Sequence, residues 1–256
     1  MNDQRLKIDW QAISDPGSVR EVNEDSFIAK PDSGVWAVAD GMGGHESGDW
    51  ASAQVIAAIE TCTVESDFSS LVENCANSIH RANATVVNAA GEKGIRMGST
   101  VAVLVISGRQ FGAVWAGDSR VYLLRDRILH QLTRDHTQVQ EMVDRGLISP
   151  ESARDHPMAH ILTRAVGAAP ELEVDAIADA IIPGDIFLVC TDGLYGTLSD
   201  DELSYALAHE PLENVTQHLL DRCLERGAND NVTVIVVRAQ EPTMLVFYPE
   251  PCVAMP

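Results

Sequence analysis

Carboxylates punctuate this sequence at the ends of its apolar runs. The run from Gly34 to Ala39 stops at Asp40, the run from Gln110 to Ala116 stops at Gly117-Asp118-Ser119, and the run from Asp185 to Thr191 stops at Asp192-Gly193-Leu194. Asp230-Asn231 stands directly before the run Val232 to Val237, and Glu24-Asp25 before the shorter Ser26 to Ala29. Apolar runs of this length read as buried strands. If those strands lie in one antiparallel sandwich, their ends gather on one rim. Carboxylates brought together there repel one another unless they are protonated or bridged by cations. Oxygen donors without cysteine, and with no obligatory histidine, suit Mg²⁺ or Mn²⁺ rather than zinc. A set this rich in carboxylate can hold two ions about 4 Å apart around a water of lowered pKa, an arrangement for in-line attack on phosphorus. Arg20, five residues before Asp25, offers the planar fork that matches a pair of phosphate oxygens.

Each piece also has a plainer reading. Asp-Gly and Asp-Asn are common turn dipeptides, and any one of them is more often a turn than a ligand. Arg20 alone reads as a surface residue, and His45 alone as a helix-entrance or surface histidine. The joint pattern is what favours a site. Within it, Gly41, Gly43 and Gly44 let the backbone after Asp40 approach a ligand closely or take a positive φ.

The elements that position these residues read as follows. Ile8 to Ile13 alternates imperfectly as a first strand, and Asp15-Pro16-Gly17 turns the chain. Gly48 to Thr61 and Ser69 to Ala90 have apolar residues at helical spacing, with Leu71, Cys75, Ile79, Ala82 and Val86 on one stripe of the second helix. Ser99 to Ile106, Gln110 to Ala116, Val121 to Leu124 and Ile128 to Leu132 form an antiparallel meander. Gln138 to Arg145 is a helix, with Thr137 or Asp135 as its N-cap. Residues 146 to 169 are the least regular part and read as a mobile excursion. Helices follow at Asp200 to Ala208 and Leu212 to Glu225, before the final strand Val232 to Val237. Strands and helical pairs without strict β-α-β alternation indicate one α+β domain, its antiparallel sheets covered by helices. The domain is expected over residues 1–240, with a surface tail at 241–256 whose apolar patch Met244 to Tyr248 packs on the body.

Composition narrows the function classes. The 256 residues carry a formal net charge of −20, which repels phosphate backbones and argues against nucleic-acid binding. The same field attracts divalent cations. Five scattered cysteines, none in a C-x-x-C pair, suit a reducing compartment rather than a disulfide framework or zinc site. The N-terminus lacks the apolar core of a signal peptide, and no apolar run approaches membrane-spanning length. The expectation is a soluble cytoplasmic protein with no membrane partner.

Gly17-x-x-Arg20-x-x-Asn23-Glu24-Asp25, Asp40-Gly41-Met42-Gly43-Gly44-His45, Met97-Gly98-Ser99-Thr100, Gly117-Asp118-Ser119-Arg120, Asp135-His136, Leu162 to Gly167, Asp192-Gly193-Leu194 and Asp230-Asn231-Val232-Thr233 together resemble the ordered motif set of the bacterial metal-dependent protein serine/threonine phosphatases, the PP2C or PPM family. The resemblance covers about residues 10 to 238. It implies a central β-sandwich of two antiparallel sheets flanked by helical pairs. It implies that Asp40 bridges two Mn²⁺ or Mg²⁺ ions, that Asp192 and Asp230 complete the first ion's site, and that the Gly41 carbonyl helps hold the second with Glu24 or Asp25. Asp118, with Asp192, matches the position of a third, weaker ion. Arg20 would clamp the phosphate, and residues 146–169 match the flap that tunes substrate access. Animal members carry a histidine where Met42 stands here. Bacterial members keep one at the position of His45, which leaves the leaving-group acid open between His45, a metal-bound water and no dedicated acid.

The implied reaction is hydrolysis of phosphoserine or phosphothreonine by metal-activated water, without a phospho-enzyme. The implied partners are phosphorylated proteins, the enzyme acting as a monomer that opposes a Ser/Thr kinase. Two other readings stand beside it. One is a catalytically inactive relative that binds phosphoproteins, which ligand loss would mark; Asp40, Asp192 and Asp230 are all present. The other is a nuclease or small-molecule phosphatase on the same carboxylate logic, and the −20 charge argues against the nuclease.

Overall fold

Two β-sheets form the centre of the molecule. The structure is a computed structural model and describes residues 6–43, 47–62, 67–154 and 156–242. His45, one candidate for the leaving-group acid, and the tail from residue 243 onward lie outside the described residues.

The first sheet joins β1 (Lys7–Asp15), β11 (Val232–Gln240), β10 (Ile186–Cys190), β7 (Arg120–Arg125) and β8 (Ile128–Gln131) in that order. The second joins β2 (Asp25–Lys30), β3 (Val35–Met42), β5 (Val101–Ser107), β6 (Gln110–Ala116) and β9 (Asp175–Ala180), with the two-residue β4 (Gly98–Ser99) beside the end of β3. Every strand pairing among the described residues of both sheets is antiparallel. Helices α1 (Gly48–Glu60) and α2 (Phe68–Lys93) cover the second sheet, and α5 (Asp192–Tyr195), α6 (Asp200–His209) and α7 (Leu212–Glu225) cover the first. Two short helices, α3 (Gln138–Asp144) and α4 (Pro150–Arg154), lie in the connection between β8 and β9. The expected α+β sandwich is the observed architecture.

The alternation of side chains along each strand sorts the core into three layers. On β3, Val35, Ala37 and Ala39 pack under α1 and α2, while Trp36 and Val38 point between the sheets. On β11, Val234 and Val236 pack under α7, while Ile235 and Val237 meet Phe187, Val189, Phe111 and Trp115 between the sheets. That inward row has a consequence at the rim. By the same parity, Asp40 follows Trp36 and Val38, Thr191 follows Phe187 and Val189, and Thr233 precedes Ile235. Polar groups therefore arrive where the apolar inter-sheet core ends.

Local signals account for the helix limits. Asp67 caps α2 by accepting from Ser70 N at 2.9 Å, and Gly94, at φ 64°, ends it in the left-handed conformation that glycine adopts without strain. Thr137 is the N-cap of α3, accepting from Gln140 N, and Ser199 with Glu202 forms a capping box at α6.

Three elements depart from the sequence reading. β9 was not foreseen, because its Asp-Ala-Ile-Ala-Asp-Ala sequence has few residues of high strand propensity. It forms by pairing along the edge of β6, from Gln110 opposite Ala180 to Trp115 opposite Asp175. The stretch 146–169 is not wholly irregular, since it includes α4. Asp192-Gly193-Leu194, read as the end of a strand, also opens α5. No helix among the described residues is long and apolar enough to cross a membrane.

Candidate metal and phosphate site

The strand ends do converge. Arg20, Glu24, Asp40, Gly41, Asp118, Asp192 and Asp230 line one cavity of about 620 Å³ at the rim of the sandwich. Asp25 sits behind its wall. It lies opposite Asp40 in the β2–β3 ladder and is buried, its Oδ2 accepting from Thr191 Oγ1 at 2.8 Å and Thr233 Oγ1 at 2.7 Å. Asp25 thus ties the second sheet to the first just below the site. Of the pair left open by the sequence, Glu24 is the one that faces the cavity.

The surrounding motifs hold these groups in place. Thr100 grips Asp40 by its backbone: Thr100 N donates to Asp40 O at 2.8 Å, and Asp40 N donates to Thr100 Oγ1 at 3.1 Å. Asn231 organises the loop that carries Arg20. Its Oδ1 accepts from Glu24 N at 2.8 Å, and its Nδ2 donates to Pro16 O and Val22 O. Arg20 Nη2 donates to Asp230 Oδ2 at 2.8 Å, so the arginine enters the site as the partner of a carboxylate. Gly41 and Gly193 are required by space. A Cβ on Gly41 would lie 2.0 Å from Gly48 O, and one on Gly193 would lie 2.1 Å from Asn231 O.

Arg120 and Asp135, from motifs with no assigned role, form a structural pair. Arg120 donates to both oxygens of Asp135, and its guanidinium stacks on Tyr195 at 3.6 Å from the ring centroid. Tyr195 OH in turn donates to Asp118 O at 2.9 Å. His136 Nδ1 accepts from Gly117 N at 3.1 Å, which supports the turn that carries Asp118.

The electrostatics of the rim are those of unneutralised negative charge. Burial, then the neighbouring aspartates Asp192, Asp25, Asp118 and Asp230, hold Asp40 well above the ordinary carboxylate range. Burial followed by Asp192 and Asp135 pushes Asp118 up to about 8. Burial pushes Asp25 up to about 7 against the two threonine hydrogen bonds that lower it. Burial also raises Glu24, against the lowering effect of Arg20. Among the described residues, three of the five buried side-chain polar atoms without a hydrogen-bond partner are Glu24 Oε1, Asp25 Oδ1 and Asp192 Oδ1. Buried carboxylate oxygens without partners are costly, and a bound cation answers that cost.

The donor set fits hard divalent ions. No three His, Cys, Asp or Glu side chains among the described residues make a ready cage for a single ion. Mg²⁺-type ions keep several waters and take only one or two carboxylates each, so dispersed carboxylates with a backbone carbonyl at Gly41 suit them. A closed Cys/His cage for zinc has no counterpart among the described residues.

Two cavity residues were not singled out from the sequence. His160 lines the cavity, its Nδ1 3.5 Å from Asp192 Oδ2. Arg164 lines it too, pairing with Asp175 at 3.0 Å and Glu173 at 3.3 Å. Both come from the stretch 146–169. Their irregular surroundings gave no periodic signal to place them. Arg164 was visible only as part of a motif.

A family profile described as Protein phosphatase 2C matches residues 13–142. Serine/threonine protein phosphatase PstP of Mycobacterium tuberculosis is 36% identical over 233 residues, covering 90% of this chain and 45% of the relative. The chain belongs to the protein phosphatase 2C family. It spans a little under half of that relative's length. Among solved protein phosphatase 2C-like structures, PppA of Pseudomonas aeruginosa, described as a key regulatory component of T6SS, superposes with a TM-score of 0.86 at 39% identity, covering 92% of this chain and 99% of that one. The catalytic domain of PstP, in complex with two manganese ions, superposes with a TM-score of 0.83 at 34% identity, covering 92% and 99%. The layered sandwich of those structures is the one seen here.

Proposed function

We propose that this chain is a metal-dependent protein serine/threonine phosphatase that hydrolyses phosphoserine and phosphothreonine esters at a centre of two Mn²⁺ or Mg²⁺ ions. The observation that carries the reading is the single cavity in which Glu24, Asp40, Asp118, Asp192 and Asp230 converge, with unpartnered oxygens on Glu24 and Asp192. The manganese-bound PstP catalytic domain supports the choice of ions. Asp40 would serve both ions, Asp192 and Asp230 one of them, and Glu24 with the Gly41 carbonyl the other. Asp118 with Asp192 would hold a third, weaker ion. When bound, such ions polarise the phosphoryl oxygens and supply a water of lowered pKa.

The chain's own residues do the rest. Thr100 fixes the backbone of Asp40, so that its carboxylate is positioned before the ions arrive. Arg20, anchored by one nitrogen on Asp230, presents the remainder of its guanidinium to the equatorial phosphate oxygens and offsets their charge in the transition state. The segment 146–169, which includes α4, brings His160 and Arg164 to the cavity, where they border the substrate. Cys62, Cys75, Cys190 and Cys223 are buried and line no part of this cavity, so the described residues offer no thiol nucleophile for a covalent route.

The substrates are phosphorylated proteins, and the enzyme opposes a Ser/Thr kinase, acting as a monomer in the cytoplasm. The apolar core ends at carboxylates in place of a basic track, which suits a phosphoprotein better than a nucleic acid. Asp40→Asn and Asp192→Asn are each expected to abolish Mn²⁺-dependent hydrolysis of p-nitrophenyl phosphate, with the fold checked by circular dichroism. Full activity in both variants would refute the two-ion scheme.

A further inference from the structure

A second cavity, of about 810 Å³, adjoins the catalytic one and shares Met42, Gly43 and Ala168 with it. It forms where α2 stops. Gly94 turns the chain back through Ile95-Arg96-Met97 into β4, and Pro170 approaches from the far side. The surface it presents is largely apolar, lined by Val87, Ala90, Ile95, Met97 and Pro170. Ile95 is 40% exposed, an apolar side chain left facing the groove.

Arg96 lies on the same wall. No carboxylate pairs with it among the described residues, in a chain whose 38 acidic residues outnumber its 18 basic ones. The other arginines bordering this region are already engaged: Arg20 with Asp230, and Arg164 with Asp175 and Glu173. Arg96 is therefore a cation at an apolar groove that adjoins the phosphate site.

Geometry restricts what can occupy it. A phosphoester seated among the rim carboxylates fixes one residue of the substrate, and the polypeptide on either side must leave the cavity across its edge. At Met42 and Gly43 that edge is shared with the second cavity. Gly43, at φ 149°, puts no side chain in the way.

We propose that this groove receives the polypeptide next to the phosphoresidue, seating a large apolar side chain against Met42, Ile95, Met97 and Pro170 and an acidic side chain against Arg96. The proposal rests on the phosphatase reading and adds a substrate class to it: phosphoproteins with an apolar and an acidic residue close to the phosphoserine or phosphothreonine. A well-filled apolar pocket discriminates by about tenfold or more between a large and a small side chain, and a charge reversal opposite a lone arginine acts in the same range.

The test uses phosphothreonine peptides that differ only in Leu against Ala, or Glu against Lys, at each of three positions on either side of the phosphoresidue. Phosphate release is followed with Mn²⁺, and p-nitrophenyl phosphate, too small to reach the groove, reads the catalytic centre separately. The expected result is a preference of about tenfold in kcat/KM for Leu at one position and for Glu at another. Arg96→Glu should reverse the Glu/Lys order and Ile95→Asp should erase the Leu preference, with p-nitrophenyl phosphate turnover changed less than twofold. Both side chains are exposed, so neither change is expected to disturb folding. Hydrolysis of p-nitrophenyl phosphate together with equal turnover of all peptides overturns the groove assignment and leaves the phosphatase reading standing. Variants that alter the sedimentation coefficient but not peptide preference assign the groove to a second copy of the chain, and also overturn it. A protein that hydrolyses neither class of substrate removes the phosphatase reading and the groove assignment with it.

Discussion

Stripped of divalent ions, this protein should lose stability as pH rises from about 5 to 7. Asp118 is pushed up to about 8 and Asp25 to about 7 in the folded chain, against about 3.9 for an unfolded aspartate. Between those limits the folded state holds protons that the unfolded state has released. Stability therefore falls with rising pH, since its slope follows the protons bound by the unfolded state minus those bound by the folded state. The contribution is fully present below the unfolded value and is lost as pH climbs through the folded value. One retained proton is worth about 1.4 kcal/mol per pH unit, so Asp118 alone contributes roughly 3 kcal/mol across this window. For a chain of this size that corresponds to a fall in Tm of roughly 6–12 °C. Mn²⁺ replaces the protons, so its stabilising effect should be larger at pH 7 than at pH 5. Differential scanning calorimetry in EDTA and in Mn²⁺, at both pH values, measures the two slopes. Asp118→Asn, which cannot titrate, should flatten the EDTA slope and so separates this effect from general repulsion at a net charge of −20. A Tm in EDTA that is constant or rises with pH, or a slope unchanged in Asp118→Asn, would refute the reasoning.

Other outcomes follow from individual contacts. Gly41→Ala drives a Cβ to 2.0 Å from Gly48 O, so β3 and α1 must part at the site; Mn²⁺-dependent turnover should fall by about 100-fold or more, read by phosphate release. Arg20→Ala removes the phosphate fork while leaving the carboxylates, and steady-state kinetics should show KM raised about tenfold with a smaller change in kcat. Asp185 is buried, bound through both oxygens to Arg125 at 2.8 and 2.7 Å, and accepts from Ile182 N. Asp185→Ala should therefore cost about 3–5 kcal/mol in urea denaturation, with turnover per folded molecule unchanged.

Much of this was legible in the sequence because the chemistry and the fold share one signal. A buried strand that stops at Asp40, Asp118 or Asp192 announces both an inter-sheet core and a rim, and on β3 strand parity carries Asp40 inward after Trp36 and Val38. The long helices were equally plain, since α2 has a stripe from Leu71 to Val86 and a terminating Gly94, although its cap at Asp67 shows only in the fold. What stayed hidden depended on partners remote in sequence. β9 exists through the exposed edge of β6, not through its own alanine- and aspartate-rich composition. The choice between Glu24 and Asp25 turned on Thr191 and Thr233, more than 160 residues away, which draw Asp25 behind the cavity wall. Arg20 looked like a free phosphate clamp, and only the folded chain reveals its bond to Asp230. His160 and Arg164 reach the site from a stretch with no periodic pattern to read.

The central claim is that the rim carboxylates form a two-ion phosphatase centre built on Asp40. It is tested most directly by titrating EDTA-stripped protein with Mn²⁺ while measuring bound metal by equilibrium dialysis and phosphate released from a phosphothreonine peptide in the same samples. The account predicts no release in the stripped protein, return of activity as two ions bind per chain, and loss of both in Asp40→Asn. Undiminished hydrolysis in the stripped protein, or an Asp40→Asn variant that binds two ions and turns over normally, would contradict it.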